Sequence, residues 1–102
     1  MTVAVIFTSR RTPQHDDEYH DMSARMAELV SQQPGFIEMA SVRDPVTREG
    51  ITVAYFVDEE SVRGWRHHAE HAEAQRRGIE DFYEAYHVTV ATVDREYGGP
   101  AR

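Results

Sequence analysis

Trp65, His67, His68, His71 and Gln75 all fall within the fifteen residues 64–78, GWRHHAEHAEAQRRG. An imidazole exchanges a proton near neutrality and also ligates metals. An indole offers a flat apolar wall with one N–H, and a carboxamide offers a donor beside an acceptor. The segment could therefore hold a metal or a heme, move a proton on a bound molecule, or only surface a helix. Wound as one helix at about 100° per residue, it puts Trp65, Ala69, Ala72 and Ile79 on an inward stripe. His68, His71 and Gln75 then share one shoulder. Arg66, Glu70, Glu73 and Arg77 share the other, reading as a solvated face with Arg66–Glu70 and Glu73–Arg77 pairs at i,i+4 spacing. His67 lies nearly opposite Trp65, towards solvent. A break near His67–His68 is the alternative to one continuous helix. Two histidines three residues apart can grip an ion, but a site needs a third ligand, and Glu70 is on the other shoulder. No metal site is expected.

The elements that must position this segment read from their periodicity. TVAVIFTSR is rich in β-branched residues and reads as a strand, with Val3, Val5 and Phe7 on one face and Ala4 and Ile6 on the other. Tyr19, Met22, Met26, Leu29 and Val30 recur at helical spacing behind an acidic first turn, and Pro34-Gly35 ends that helix. FIEMASV and GITVAYFV read as two strands joined by the turn-rich RDPVTRE. Phe36, Ala40 and Val42 are placed on one side of the first, and Ile51, Val53, Tyr55 and Val57 on one side of the second. Asp58 is the expected cap of the second helical region. DFYEAYHVTVATVDREY closes the chain as a long strand, with Val88 and Val90 on one side, Ala91 and Val93 on the other, and Tyr83 and Tyr86 on opposite faces. The order β-α-β-β-α-β predicts an α+β, ferredoxin-like domain with a four-stranded antiparallel sheet over residues 1–97, and a loose tail at 98–102. Helices cover only one sheet face. The other is apolar too, which predicts a homodimer packed sheet against sheet.

Composition narrows the partners. The 102 residues carry 18 acidic and 11 basic side chains, every base an arginine, for a net charge of −7. That balance argues against nucleic acid and anionic membranes. No apolar run approaches about 18 residues, so no span is expected. Zero cysteines exclude disulfides, thiolate nucleophiles and cysteine-held clusters. A cytoplasmic protein is expected. Arg10-Arg11 reads as a solvated strand end that could also steer an anion.

The phrase W-R-x-H-x-E-H-x-x-A-Q-x-x-G (Trp65, Arg66, His68, Glu70, His71, Ala74, Gln75, Gly78) resembles the antibiotic biosynthesis monooxygenase family. The likeness continues through Phe82, Tyr86, Val90 and Val93. The resemblance implies a dimeric α+β barrel with a pocket between helices and sheet in each subunit. It also implies cofactor-free oxygenation of an aromatic polyketide, phenol or quinol. On that reading His68 or His71 is the base, Trp65, Phe82 and Tyr86 are substrate-binding walls, and Gln75 orients an oxygen. The heme-degrading branch of such proteins uses a first-strand asparagine and an iron-ligating histidine ten residues after the tryptophan. Here the first strand has Thr8 and Ser9, and the tenth position is Gln75, which argues against heme breakdown. No cofactor is expected. The alternative is a non-catalytic dimer that binds a small apolar or aromatic molecule.

Overall fold

A computed structural model describes residues 1–100, with the backbone alone at Ala69. The tail predicted at 98–102 is without regular structure over 98–100, and residues 101 and 102 lie outside the described residues. The elements are β1 (Val3–Arg11), α1 (Asp16–Ser31), β2 (Phe36–Arg43), β3 (Glu49–Phe56), α2 (Glu59–Arg66) and α3 (Ala69–Arg77). A π-helical turn (Gly78–Phe82) and β4 (Tyr83–Thr92) complete the chain. The strands form one antiparallel sheet in the order β2-β3-β1-β4, the ferredoxin-like arrangement that the element order predicts.

Alternation in β1 decides what the helices cover. Val3 joins Ala54, Phe56, Leu29, Val30, Val62 and Trp65 in the buried core, with Val5, Met26 and Phe36 packed against it. The odd residues of β1 therefore face the helices, and Ala4 and Ile6 face away beside Tyr55 and Val53 of β3. Phe56 is fully buried at the centre. The predicted stripe of α1 turns inward, Leu29 and Val30 buried and Tyr19, Met22 and Met26 half-buried. Gly35, which follows α1, has φ +83°, and a Cβ there would collide with Ser61 Oγ. Only glycine fits that turn against α2.

Asp58 caps α2 as expected, accepting the Ser61 backbone N–H at 2.8 Å. The helical segment does break at His67–His68. His68 is extended (φ −65°, ψ 127°) and caps α3, its Nδ1 accepting the Glu70 backbone N–H at 3.3 Å.

That break and the π turn overturn the continuous-helix stripe. Ala72 is exposed and Ile79 is 59% exposed, while the Ala69 side chain lies outside the described ones. The wider turn at Gly78–Phe82 changes the angular step and puts Phe82, 2% exposed, inside instead. The last strand is correspondingly shorter, since Asp81 and Phe82 belong to that turn and β4 ends at Thr92. The charged shoulder pairs differently too. Glu70 takes a bidentate bond from Arg25 of α1, at 3.0 and 3.1 Å, and Arg77 pairs with Glu18 of α1 and Asp81.

Two register shifts correct the face assignments. Phe36 opposes Phe56 and Glu38 opposes Tyr55, leaving Ile37 unpaired, so Phe36 faces the helices while Ala40 and Val42 face away. Arg11 opposes Tyr83 and Arg10 opposes Ala85, leaving Glu84 unpaired. Such a bulge puts two residues against one and resets the alternation. Tyr83 and Tyr86 consequently share the helix side, both against the Phe7 ring, with centroids at 5.3 and 6.1 Å.

Candidate functional site

Trp65 lies on the buried side of α2 and is 9% exposed. The turn that ends α2 folds α3 back so that two imidazoles meet its indole. His68 stands at 5.6 Å between ring centroids, and His71 at 4.3 Å with planes at 67°. The two histidines differ in what is free. His68 commits its Nδ1 lone pair to the α3 cap. His71 Nδ1 is buried and has no hydrogen-bond partner. Burial, helped by the nearby positive charges of His68 and Arg66, pushes the His71 pKa down to about 4. At neutral pH the ring is uncharged, with one nitrogen a donor and the other an acceptor. A buried polar atom left unmatched is costly, so Nδ1 is suited to receive a hydrogen-bonding group.

The other sequence candidates are elsewhere. Gln75 lies one turn beyond His71 on α3 but is exposed, and His68 stands outside the helix as its cap. Phe82 sits in a separate aromatic group, edge-on to Tyr19 at 5.7 Å and under the Arg77 guanidinium at 5.1 Å. Tyr86 stands on the helix side of β4, 49% exposed. Trp65, His68 and His71 are brought together, and Gln75, Phe82 and Tyr86 are not among them.

Tyr86 belongs to a feature that the pattern of the sequence left unmarked. Cross-strand partners share a face, so Tyr86, Val88 and Val90 lie on the helix side with Ser9, Phe7 and Val5. The helices cover β1 and β3 and leave β4 bare, and the three side chains are 46–49% exposed. Val5 links this apolar strip to the core around Trp65, since it opposes Val90 and packs against that core. Alternation alone fixed the side of Val88 and Val90. It could not say which strand the helices leave open.

A polar clasp at the other end of β1 was also missed. Arg11 is 3% exposed, which corrects the solvated strand end expected for it. It donates to Phe82 O at 3.2 Å, Gln14 O at 2.8 Å and Asp16 Oδ1 at 2.7 Å, and its guanidinium lies 4.0 Å from the Tyr19 ring centre. Arg43 donates to Ser9 Oγ at 2.8 Å and Tyr19 Oη at 3.3 Å. Hydrogen bonds from Arg48 first and Arg11 second hold Asp16 below the usual carboxylate range. Burial pushes the Tyr83 phenol up. The signal was available: Arg11 continues the odd-numbered face of Val3, Val5 and Phe7. With the arginine donors engaged by these partners, the clasp is structural.

A broad groove of about 830 Å³ lies away from Trp65, across one end of the sheet, where Thr8, Arg10, Val42, Ile51, Ala85 and His87 line the face without helices. Among the described residues, no three His, Asp or Glu side chains cluster closely enough to hold a metal ion. No described helix is long and apolar enough to cross a membrane.

The four-stranded antiparallel sheet with its helices on one face is a ferredoxin-like α+β fold. The antibiotic biosynthesis monooxygenase family matches residues 2–77, and the chain belongs to it. An uncharacterized protein of Bacillus subtilis, YqjZ, is 43% identical over 93 residues, 91% of this chain and 80% of that one. The jasmonate monooxygenase ABM of Pyricularia oryzae is 32% identical over 92 residues, 88% of this chain, but this chain spans only 42% of its length. SnoaB of Streptomyces nogalater, a cofactor-independent oxygenase, has the same fold, with a TM-score of 0.74 at 18% identity, covering 93% of this chain and 95% of that one.

Proposed function

We propose that this chain is a cofactor-independent monooxygenase for an electron-rich phenol, quinol or polyketide-type substrate, with His71 as the residue that meets the reacting oxygen. The observation that carries the reading is the buried, unpartnered His71 Nδ1 against Trp65. Membership of the family and the oxygenase relatives support the reaction class. The substrate hydroxyl hydrogen-bonds to the neutral imidazole while its ring lies against Trp65 and the Val88–Val90 strip. A pKa near 4 makes His71 a weak base at rest. A phenolate forming beside it favours the imidazolium and draws the proton across. The resulting anion supplies the electrons to O₂ and forms a C–OO⁻ bond at a ring carbon that bears hydrogen. His71 returns its proton to make the hydroperoxide, and loss of that carbon's hydrogen with cleavage of the O–O bond leaves a carbonyl and releases water. His68, holding the α3 cap with its lone pair, orients the corner.

The low His71 pKa also favours a second reading, in which the corner only binds an aromatic hydroxyl and turns nothing over. Oxygen uptake with a panel of anthrones and hydroquinones separates the two. Turnover that falls at least about 100-fold in His71→Ala, with His68→Ala far less affected, supports the oxygenase. Saturable binding with no oxygen consumed across the panel establishes the second reading instead.

The face without helices carries Ile6, Val53 and Tyr55, only half-buried, at its centre. We infer that a second copy covers it, giving the homodimeric barrel. Sedimentation as a single chain at micromolar concentration would overturn this.

A further inference from the structure

We infer that α3 is a latched door over the Trp65 corner, pivoting at the π turn and held shut at its N-terminal end by the Arg25–Glu70 pair. The two ends of α3 are anchored by different chemistry. At the C-terminal end, Gly78 and Phe82 are buried, and Arg77 is tied to Glu18 and Asp81 over the Phe82 ring. At the N-terminal end the chain is extended at His68, one backbone hydrogen bond joins it to α2 (His68 N–H to Trp65 O, 3.1 Å), and the tie to α1 is the exposed bidentate bond from Arg25 to Glu70.

Between these ends, no side chain described in 70–77 is fully buried. The helix therefore has little apolar surface to hold it down. Among the described residues of α3, His71 alone makes an aromatic contact with the corner, and that contact leaves Nδ1 unmatched. Exposed ion pairs hold weakly and are screened by salt. Lifting the N-terminal end withdraws His71 from the indole and opens the way to Nδ1 without disturbing Phe56 or the sheet. Segments with few buried contacts open locally while the rest stays folded.

Trp65 is the only tryptophan in the chain, so its fluorescence reports on this corner alone. Acrylamide quenching of Trp65 and amide hydrogen exchange over 72–77 are measured in the whole protein at low salt, at 0.5 M salt, and in Arg25→Gln at low salt. The door predicts a rise on the order of threefold in quenching and in α3 exchange, in high salt and in Arg25→Gln alike, with β1 and residues 26–30 unchanged. Glu28→Gln, which removes the other carboxylate near Arg25, serves as the control and changes neither. Equal quenching and exchange in all conditions overturn the latch. So does acceleration of α3 only in step with β1, since that is global opening. No ligand enters the measurement, so its outcome is independent of the oxygenase reading.

Discussion

The imidazole of His71 stands edge-on to the indole of Trp65, 4.3 Å between centroids, and is kept uncharged by the burial that this contact creates. The folded protein resists a proton that the unfolded chain accepts, the two values being about 4 and 6.5. His71 therefore leaves stability intact above pH 6.5 and lowers it as pH falls towards 4. Urea unfolding at pH 7.5 and 5.5 should show a loss of about 1 kcal/mol in the wild type, allowing for solvent around a half-buried ring. His71→Phe should lack that component. An equal loss in both proteins assigns it to other groups.

His68 should behave differently from its neighbour. His68→Ala removes the α3 cap and should cost about 0.5–1 kcal/mol, whereas His68→Asn, a good capping residue, should restore it. Thermal melts of the three proteins at pH 7.5 make the comparison. Failure of asparagine to recover stability means that the Trp65 contact, not the cap, is what His68 contributes.

The proposed dimer face offers a direct test at Val53, opposite Ile6 in the centre of the sheet. Val53→Asp should leave a folded monomer by sedimentation and circular dichroism, because its side chain meets no helix. An unshifted dimer moves the interface elsewhere.

Gly35→Ala should destabilise by roughly 2–4 kcal/mol, combining a left-handed backbone with a methyl forced against Ser61. Gly64→Ala is the control, since a Cβ there meets nothing within 4 Å. Helix propensity predicts that it is neutral or stabilising.

Arg11→Met keeps the length of the side chain and removes its donors. Phe82 O keeps the Thr12 N–H and Gln14 O keeps the Thr12 hydroxyl, so what is lost is the charged donor at each, and the cost should be about 1.5–3 kcal/mol in urea unfolding. A change under about 1 kcal/mol shows that water replaces the guanidinium.

Periodicity carried most of the fold. The β-branched run of β1, the 3,4 spacing of α1 and the Asp58 cap each correspond to local rules that tertiary contacts then reinforce. The errors cluster where one residue changes the phase of an element. Ile37 and Glu84 each reset a strand, and the π turn reset the helix between Ile79 and Phe82. None of these has a composition signal of its own. At the candidate site, the phrase around Trp65 marked the segment where two imidazoles meet the indole, but what separates His68 from His71 is the break at His67–His68, which makes His68 the cap of α3. The bare strip on β4 depends on how far three short helices reach across four strands, which no local pattern encodes.

Glu84 has one further consequence. It faces no residue across the ladder, and its side chain reaches only the exposed Arg10. Its loss would join Tyr83 directly to Ala85 and leave every later side chain of β4 pointing as before. Here the chain carries a spare unit of length, a place where it can shorten by one without turning Tyr86, Val88 and Val90 inside out.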